Sequence, residues 1–103
     1  NKKTAYDQII REIRYAIGLS LHIMRKTRVK QYDVWMENPQ VVILLCHTIQ
    51  EFSEDIQDFV VDELTNLVRR AGCSLSLEIC RELTNVAGKL NNSGLKEALA
   101  DIF

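Results

Sequence analysis

The sequence has 103 residues, 47% of them apolar and 26% charged, which fits one globular domain with a core of its own. Its net charge of −1 divides unevenly: residues 1–37 carry eight basic against four acidic side chains, and residues 38–103 carry five against ten. No run approaches the roughly 18 apolar residues of a membrane helix, no leader-like apolar block begins the chain, and the missing initiator methionine indicates a fragment of a longer protein.

The first predicted element is a long helix from Thr4 to about Met24. Apolar side chains recur there at the spacing of one helical face, at positions 6, 9, 10, 13, 16, 17, 20/21 and 24. Gly18 interrupts this pattern without ending it. The next segment, RKTRVKQYDVWMEN, mixes basic and aromatic residues, and we interpret it as a loop that holds a short helical turn anchored by Trp35.

The segment NPQVVILLCHTIQEF, residues 38–52, is open to two interpretations. Its β-branched residues favour a strand by intrinsic propensity. Asn38-Pro39 is typical of a helix start, because asparagine caps helices and proline at the first helical position loses no needed N–H. The apolar pattern also continues in helical register to Phe52. We therefore predict a helix that Asn38 caps and that is buried on nearly all sides.

Three further helices complete the prediction. The first has Ser53 as its N-cap and ends at Gly72, with acidic residues in its first turn and two arginines in its last. The second begins near Ser74 or Ser76, and the third begins at Ser93 or Gly94. With five helices, one turn and no strand pattern, the sequence predicts a single all-α domain over residues 1–103.

An internal similarity relates two of these helices. A shift of 34 residues places 41–53 over 75–87 and matches apolar positions, among them Leu45 with Ile79, Cys46 with Cys80 and Ile49 with Leu83. Each of the two helices is followed by a polar break and then by another amphipathic segment. This order of features favours a repeat-like arrangement of residues 38–103 behind a basic N-terminal helix and loop at 1–37.

Residues 38–99 resemble armadillo or HEAT-type helical repeats. LEICRELTNVAGKL, with LTNVA at 83–87, is similar to the end of an armadillo third helix, and residues 38–68 look like a third helix followed by the next repeat. The resemblance implies a right-handed stack whose third helices line a concave surface that binds extended peptides or protein partners. The chain lacks the glycine turn and proline usual between the first two helices, which favours a HEAT-like unit or a helical bundle.

The resemblance also implies positions for a binding groove. The family's groove asparagine corresponds to Asn85, and the larger groove residue one turn earlier corresponds to Arg81. The matching positions one repeat earlier are Glu51 and His47, which are not the residue types usual in the family. Each pair is spaced i, i+4, so each lies on one polar helix face, and adjacent repeats would bring the two pairs together. The alternative is that both faces are simply solvated.

Catalytic and metal-binding patterns are weak in this sequence. Cys46 and His47 are adjacent and point roughly 100° apart on a helix, so they cannot serve each other as nucleophile and base. Cys46 lies in the apolar register, which predicts a buried, inert thiol. Cys73 and Cys80 are seven residues apart, too far for one ion without a bend. We predict no enzyme, cofactor or metal site, and three free thiols in a reducing compartment.

A basic segment with aromatic residues raises the possibility of nucleic-acid binding. Basic side chains there would neutralise phosphates and aromatic rings would stack on bases. The residues concerned are Arg25, Lys26, Arg28, Lys30, Tyr32 and Trp35. Two other readings stay open: a solvated loop whose aromatic rings fold back onto the core, or a binding surface for an acidic protein segment. The nearly neutral overall charge argues against a dedicated nucleic-acid binder without ruling it out.

From these patterns we predict an intracellular, cytoplasmic or nuclear module that binds a protein or peptide partner on a helical surface, with no membrane association. A second possibility is a compact bundle for dimerisation or adaptor functions, using exposed apolar residues near Trp35 or the C-terminal Leu99, Ile102 and Phe103. Nucleic-acid binding through the basic loop at 25–35 is the third.

Overall fold

The computed structural model describes residues 2–27 and 32–102. This part of the chain forms six α-helices: α1 (Lys2–Thr27), α2 (Tyr32–Glu37), α3 (Pro39–Thr48), α4 (Glu54–Ala71), α5 (Leu77–Lys89) and α6 (Ser93–Ala100). Two 3-10 turns, Ile49–Glu51 and Gly72–Ser74, follow α3 and α4. No strand occurs among the described residues, so the prediction of an all-α chain is confirmed for them.

The six helices correspond to the five predicted helices and the predicted turn, which is α2. Three residues named in the sequence analysis lie outside the described residues: Arg28, Lys30 and Phe103. The predicted end of α4 is confirmed, because Gly72 follows its last residue with φ of 54° and ψ of −131°, a conformation that glycine adopts at little cost.

Helix α4 lies at the centre of the core. It packs against α1, α2 and α6, while α5 packs against α3 and α6. Its innermost side chains are at most 1% exposed, and they recur at helical spacing: Ile56, Val60, Leu64, Leu67 and Val68. Because fully burying one such aliphatic side chain stabilises a fold by roughly 1.5–3 kcal/mol, we expect α4 to carry much of the stability of the domain.

The helix starts show which caps the sequence identified correctly. Ser76 and Asn92 cap α5 and α6, because Ser76 Oγ accepts a hydrogen bond from the Ile79 N–H at 3.2 Å and Asn92 Oδ1 accepts one from Leu95 at 2.8 Å. Ser53 precedes α4 as predicted but makes no side-chain capping hydrogen bond. The last helix begins at Ser93, one of its two predicted starts, and Asn92 is its cap.

Asn38 has a different role from the predicted one. Helix α3 does begin at Pro39, but the Asn38 side chain makes no capping bond to it. The Asn38 amide instead donates to the Val34 carbonyl at 2.7 Å. It thereby satisfies one of the carbonyls left open at the end of α2, a short helix that has no basic residue in its last turn. The prediction that Asn38 caps α3 was wrong for this reason.

The prediction that α3 is buried on nearly all sides was also wrong. Val42, Leu45 and Cys46 are buried, but Val41 is 40% exposed and Leu44 is 42% exposed. The helix packs mainly against α2 on one side and α5 on the other. One face of α3, which carries Val41 and Leu44, is therefore left open although its side chains are apolar.

Helix α1 is long but weakly buried. Its 26 residues span about 39 Å at 1.5 Å per residue in a molecule whose longest dimension is 47 Å. Leu21 is its one buried residue, with Ile17 and Met24 partly buried against the core. We use the term "body" for residues 32–102. The first half of α1 therefore carries apolar residues that the body does not cover.

Two residues of the predicted dimerisation surface belong to the core. Trp35 is 3% exposed, and Leu99 is 5% exposed. Ile102 is partly buried and packs against the same core. Trp35 and Leu99 are therefore not available to a second molecule in this fold. Val34 and Met36, which adjoin Trp35, are 52% and 39% exposed, so exposed apolar residues do lie near Trp35, and their use in dimerisation stays a prediction.

Candidate functional site

The structure separates His47 from Glu51. His47 Nε2 lies 3.0 Å from Glu82 Oε2 on α5, and Glu51 Oε2 lies 2.8 Å from Arg14 Nε on α1. The predicted shared face required one continuous α-helix through both positions. The helix ends at Thr48 and tightens into a 3-10 turn from Ile49, which changes the rotation per residue and directs Glu51 towards α1.

Arg81 and Asn85 do lie together, on the outer side of α5. With Leu77, Cys80 and Thr84 they line a shallow cavity of about 260 Å³. Within residues 2–27 and 32–102, no hydrogen bond or ion pair joins either of them to His47 or Glu51. The four residues are therefore distributed over the His47–Glu82 contact, the Arg14–Glu51 ion pair and one shallow depression.

Cys46 is a packing residue. Burial, and to a smaller extent the negative charge of Glu82, raises the pKa of its thiol from 9.0 to about 12. A thiol with this pKa is almost fully protonated at neutral pH and is a poor nucleophile. Cys80 is buried and Cys73 is exposed, and all three thiols are free. In the part of the chain that the structure describes, no three His, Cys, Asp or Glu side chains form a group suited to a metal ion.

The predicted nucleic-acid segment is only partly covered by the structure. Arg25 forms an ion pair with Asp55 at 3.6 Å, and Lys26 is exposed, while Arg28 and Lys30 lie outside the described residues. The Trp35 ring is in the core, which confirms the alternative in which this aromatic residue folds back onto the body. A base therefore cannot stack on Trp35 in this fold.

Helix α1 carries several exposed apolar residues and contacts the body on one side. Helix α1 contacts the body in three ways: Leu21, Ile17 and Met24 pack against the core, Gly18 faces the Phe52 ring, and Arg14 and Arg25 form ion pairs. At roughly 100° per residue these residues fall within about a third of the helix circumference. This arc is the side of α1 that faces the body.

The apolar face of α1 continues past the body. Tyr6, Ile9 and Ile13 are 65%, 54% and 45% exposed. At roughly 100° per residue, Tyr6 and Ile13 point in nearly the same direction as Met24 and Ile17, which pack against the core. We call Tyr6, Ile9 and Ile13 the α1 stripe. An amphipathic helix usually turns its apolar face to the core, and the body does not cover this part of α1, so the stripe is available to another molecule.

A groove continues from the α1 stripe into the body. One wall consists of α1 residues that are mostly apolar: Ile13, Ala16, Ile17, Ser20, Leu21 and Met24. The opposite wall is formed by Trp35, Val41 and Leu45, and the groove has a volume of about 310 Å³. We call it the α1–α3 groove. The exposed Leu44 lies one helical turn from Val41 on α3, so the apolar surface extends beyond the groove.

The other flank of α1 has a more polar cavity. It has a volume of about 420 Å³ and lies between α1 and the start of α4. Tyr15, Leu19 and His22 line it from α1, and Phe52 and Ile56 line it from the body. The Arg14–Glu51 ion pair is at its edge. This mixture of groups distinguishes it from the almost purely apolar α1–α3 groove.

Sequence reasoning identified the apolar positions of α1 but not their exposure. The same periodicity that predicted the helix marks residues 6, 9 and 13, but it does not show what covers them. The signal that points to a surface is a length mismatch: a helix of about seven turns cannot be covered by partners of two to five turns.

The chain matches no family model, no curated protein and no solved structure. None of the helices in the described segments combines the length and apolar character that crossing a membrane requires.

Proposed function

We propose that this protein is a protein-interaction module that binds a helical segment of a partner on the α1 stripe and in the α1–α3 groove. The observation that supports it most directly is the exposure of the first half of α1, which carries Tyr6, Ile9 and Ile13 on the same helix face as Ile17 and Met24 but is not covered by the body. Binding of an amphipathic helix in an apolar groove is a common mode of recognition, and it needs no chemical step.

Burial energies support this choice of surface. Covering one half-exposed isoleucine contributes on the order of 1 kcal/mol, so the stripe and the groove walls together provide several kcal/mol of favourable burial. Isolated exposed apolar residues are ordinary on protein surfaces, whereas contiguous apolar patches mark interaction sites. Ile13 belongs both to the stripe and to the groove wall, so the two surfaces are contiguous.

A repeat-like stack is part of the same proposal. Packing of α3 on α5 and of α4 on α6 joins every second helix, as in stacked helical hairpins. The starts of α3 and α5 (Pro39 and Leu77) are 38 residues apart, and those of α4 and α6 (Glu54 and Ser93) are 39 apart. These spacings support a HEAT-like unit more than the shift of 34 does, because the usual period is about 40–47 residues.

A displayed library of peptides of about 20 residues with high helix propensity tests the proposed function. Binders are selected on the unmodified chain, and their dissociation constants are measured by fluorescence anisotropy. We expect Ile9→Ser to weaken binding at least about fivefold, which corresponds to roughly 1 kcal/mol of lost burial. Because Ile9 is exposed, the fold should be retained, which circular dichroism verifies.

Leu77→Ser is the matched comparison. Leu77 is 63% exposed, against 54% for Ile9, but it is the first residue of α5 and lies beside Arg81 and Asn85. We expect it to change binding less than about twofold. If the selected peptides lost affinity for the Leu77→Ser variant and not for the Ile9→Ser variant, the result would contradict the proposal and favour the α5 surface. Failure to select any binder would also contradict it.

A further inference from the structure

We infer that α1 opens from the body as a unit, and that the ionic strength of the solution sets how often it does so. Opening means the loss of the contacts between α1 and the body while α2 to α6 stay folded. The inference goes beyond the proposed function, because it concerns when the α1–α3 groove exists and not what binds in it. One wall of that groove belongs to α1, so opening dismantles the groove.

The apolar core of the body is nearly complete without α1. Leu21 is the one α1 residue among the buried members of the core, and the others lie between Trp35 and Leu99. Ile17 and Met24 add only partly buried contacts. Segments with few buried apolar contacts open at the lowest cost in free energy. With one buried residue among 26, α1 is the long helix of this fold that should open first.

The contact between α1 and the body is bounded by open space on both sides. The α1–α3 groove, of about 310 Å³, lies on one flank of α1, and the polar cavity, of about 420 Å³, lies on the other. Between the apolar contacts, Gly18 faces the Phe52 ring without a side chain of its own. Apolar packing therefore holds α1 over a small area, which leaves a larger share of the attraction to charge.

Helix α1 and the body carry opposite charge. Six basic and two acidic residues lie in α1, whereas five basic and twelve acidic residues lie in the body. The opposite charges meet at two points, where Arg14 Nε lies 2.8 Å from Glu51 Oε2 and Arg25 lies 3.6 Å from Asp55. All four of these side chains are at least 40% exposed. Dissolved salt screens exposed pairs of this kind, so the docking of α1 should weaken as ionic strength rises.

Hydrogen exchange followed by mass spectrometry at neutral pH tests this inference on the unmodified chain. Isolated helices are marginally stable in water, so the amide protons of a released α1 exchange with solvent. We expect α1 to exchange faster than α4 at low salt. Between about 50 mM and about 500 mM sodium chloride, exchange in α1 should accelerate at least about threefold, while exchange in α4 should change less than about twofold.

Three charge variants show whether the ion pairs are the cause. At about 50 mM salt, Arg14→Glu should accelerate exchange in α1 at least about threefold, because two carboxylates then face each other. Arg14→Lys keeps the charge and should change it less than about twofold. Arg81→Glu makes the same charge change on α5 and should not accelerate exchange in α1. Exchange in α4 reports in each variant whether the body stays folded.

Slow exchange in α1, equal to that in α4 at both salt concentrations, would overturn the inference. Rates in α1 that were independent of salt and unchanged in Arg14→Glu would also overturn it. The proposed function fails differently, because it depends on the loss of peptide affinity in Ile9→Ser and not on exchange rates. An α1 that never opens, together with weakened peptide binding in Ile9→Ser, would remove the inference and leave the proposed function standing.

Discussion

Helices α1 and α4 are both amphipathic, but only α4 is buried. Seven of the 18 residues of α4 are buried, whereas one of the 26 residues of α1 is. Helix α4 has neighbours on several sides, since α1, α2 and α6 all pack against it. Helix α1 extends past the body, which covers only the second half of its apolar face. An apolar helical face therefore predicts that something covers it, and it does not predict that the same chain does so.

The largest loss of stability should come from a substitution that leaves a cavity beside α4. Leu64 is fully buried, and Leu64→Ala should lower the free energy of unfolding by roughly 2–5 kcal/mol because burial is lost and a cavity is left. Leu19 in α1 is 50% exposed, so the same change there should cost less than about 1 kcal/mol. Urea denaturation of the two variants measures both values. Equal losses would show that α1 is as firmly packed as α4.

The thiol of Cys46 should make the stability of the body depend on pH. Below pH 9 the thiol is protonated in the folded and unfolded states. Between pH 9 and 12 the unfolded chain loses this proton while the folded chain keeps it, so the free energy of unfolding falls as pH rises. The slope approaches about 1.4 kcal/mol per pH unit. Cys46→Ala should show a smaller decline over this range in denaturant titrations. If the unmodified chain and Cys46→Ala lost stability equally over this pH range, water would reach Cys46 in the folded state.

Replacing Gly72 and Gly18 by alanine should change the stability of the domain in opposite directions. Gly72 has a positive φ, so Gly72→Ala should cost roughly 1–3 kcal/mol through backbone strain alone, since no atom lies within 4 Å of the added carbon. Gly18 is helical, and Gly18→Ala should stabilise the domain by about 0.5–1 kcal/mol, with Phe52 at an ordinary contact distance of 3.5 Å. Thermal unfolding of both variants gives the signs. A loss of stability in Gly18→Ala would mean that α1 lies too close to the Phe52 ring to admit the added methyl group.

The sequence predicted local structure better than the relations between helices. Pro39, Ser76 and Gly72 mark helix ends through backbone properties that are independent of the rest of the fold. The role of Asn38 depended on α2 ending within reach of its side chain, which the spacing of apolar residues does not show. His47 and Glu51 contact different helices, with a 3-10 turn beginning at Ile49 between them, and their joint role in a groove stays a prediction.

Tertiary relations could not be read from a single chain for a physical reason. Helical periodicity records which residues avoid water, and an unseen partner excludes water as effectively as the chain's own core. Residues 6, 9 and 13 and residues 56, 60 and 64 therefore have similar patterns, although the first set is exposed and the second is buried. Only the packing of the helices distinguishes the two cases.

The position of Trp35 makes its fluorescence sensitive to the contact between α1 and the body. It is the only tryptophan of the chain, it is shielded from water, and it forms part of a groove wall whose opposite side is α1. Its indole emission therefore belongs to a single chromophore at the boundary between α1 and the body. Separation of α1 would hydrate that chromophore and shift its emission to longer wavelength, without any label being attached to the protein.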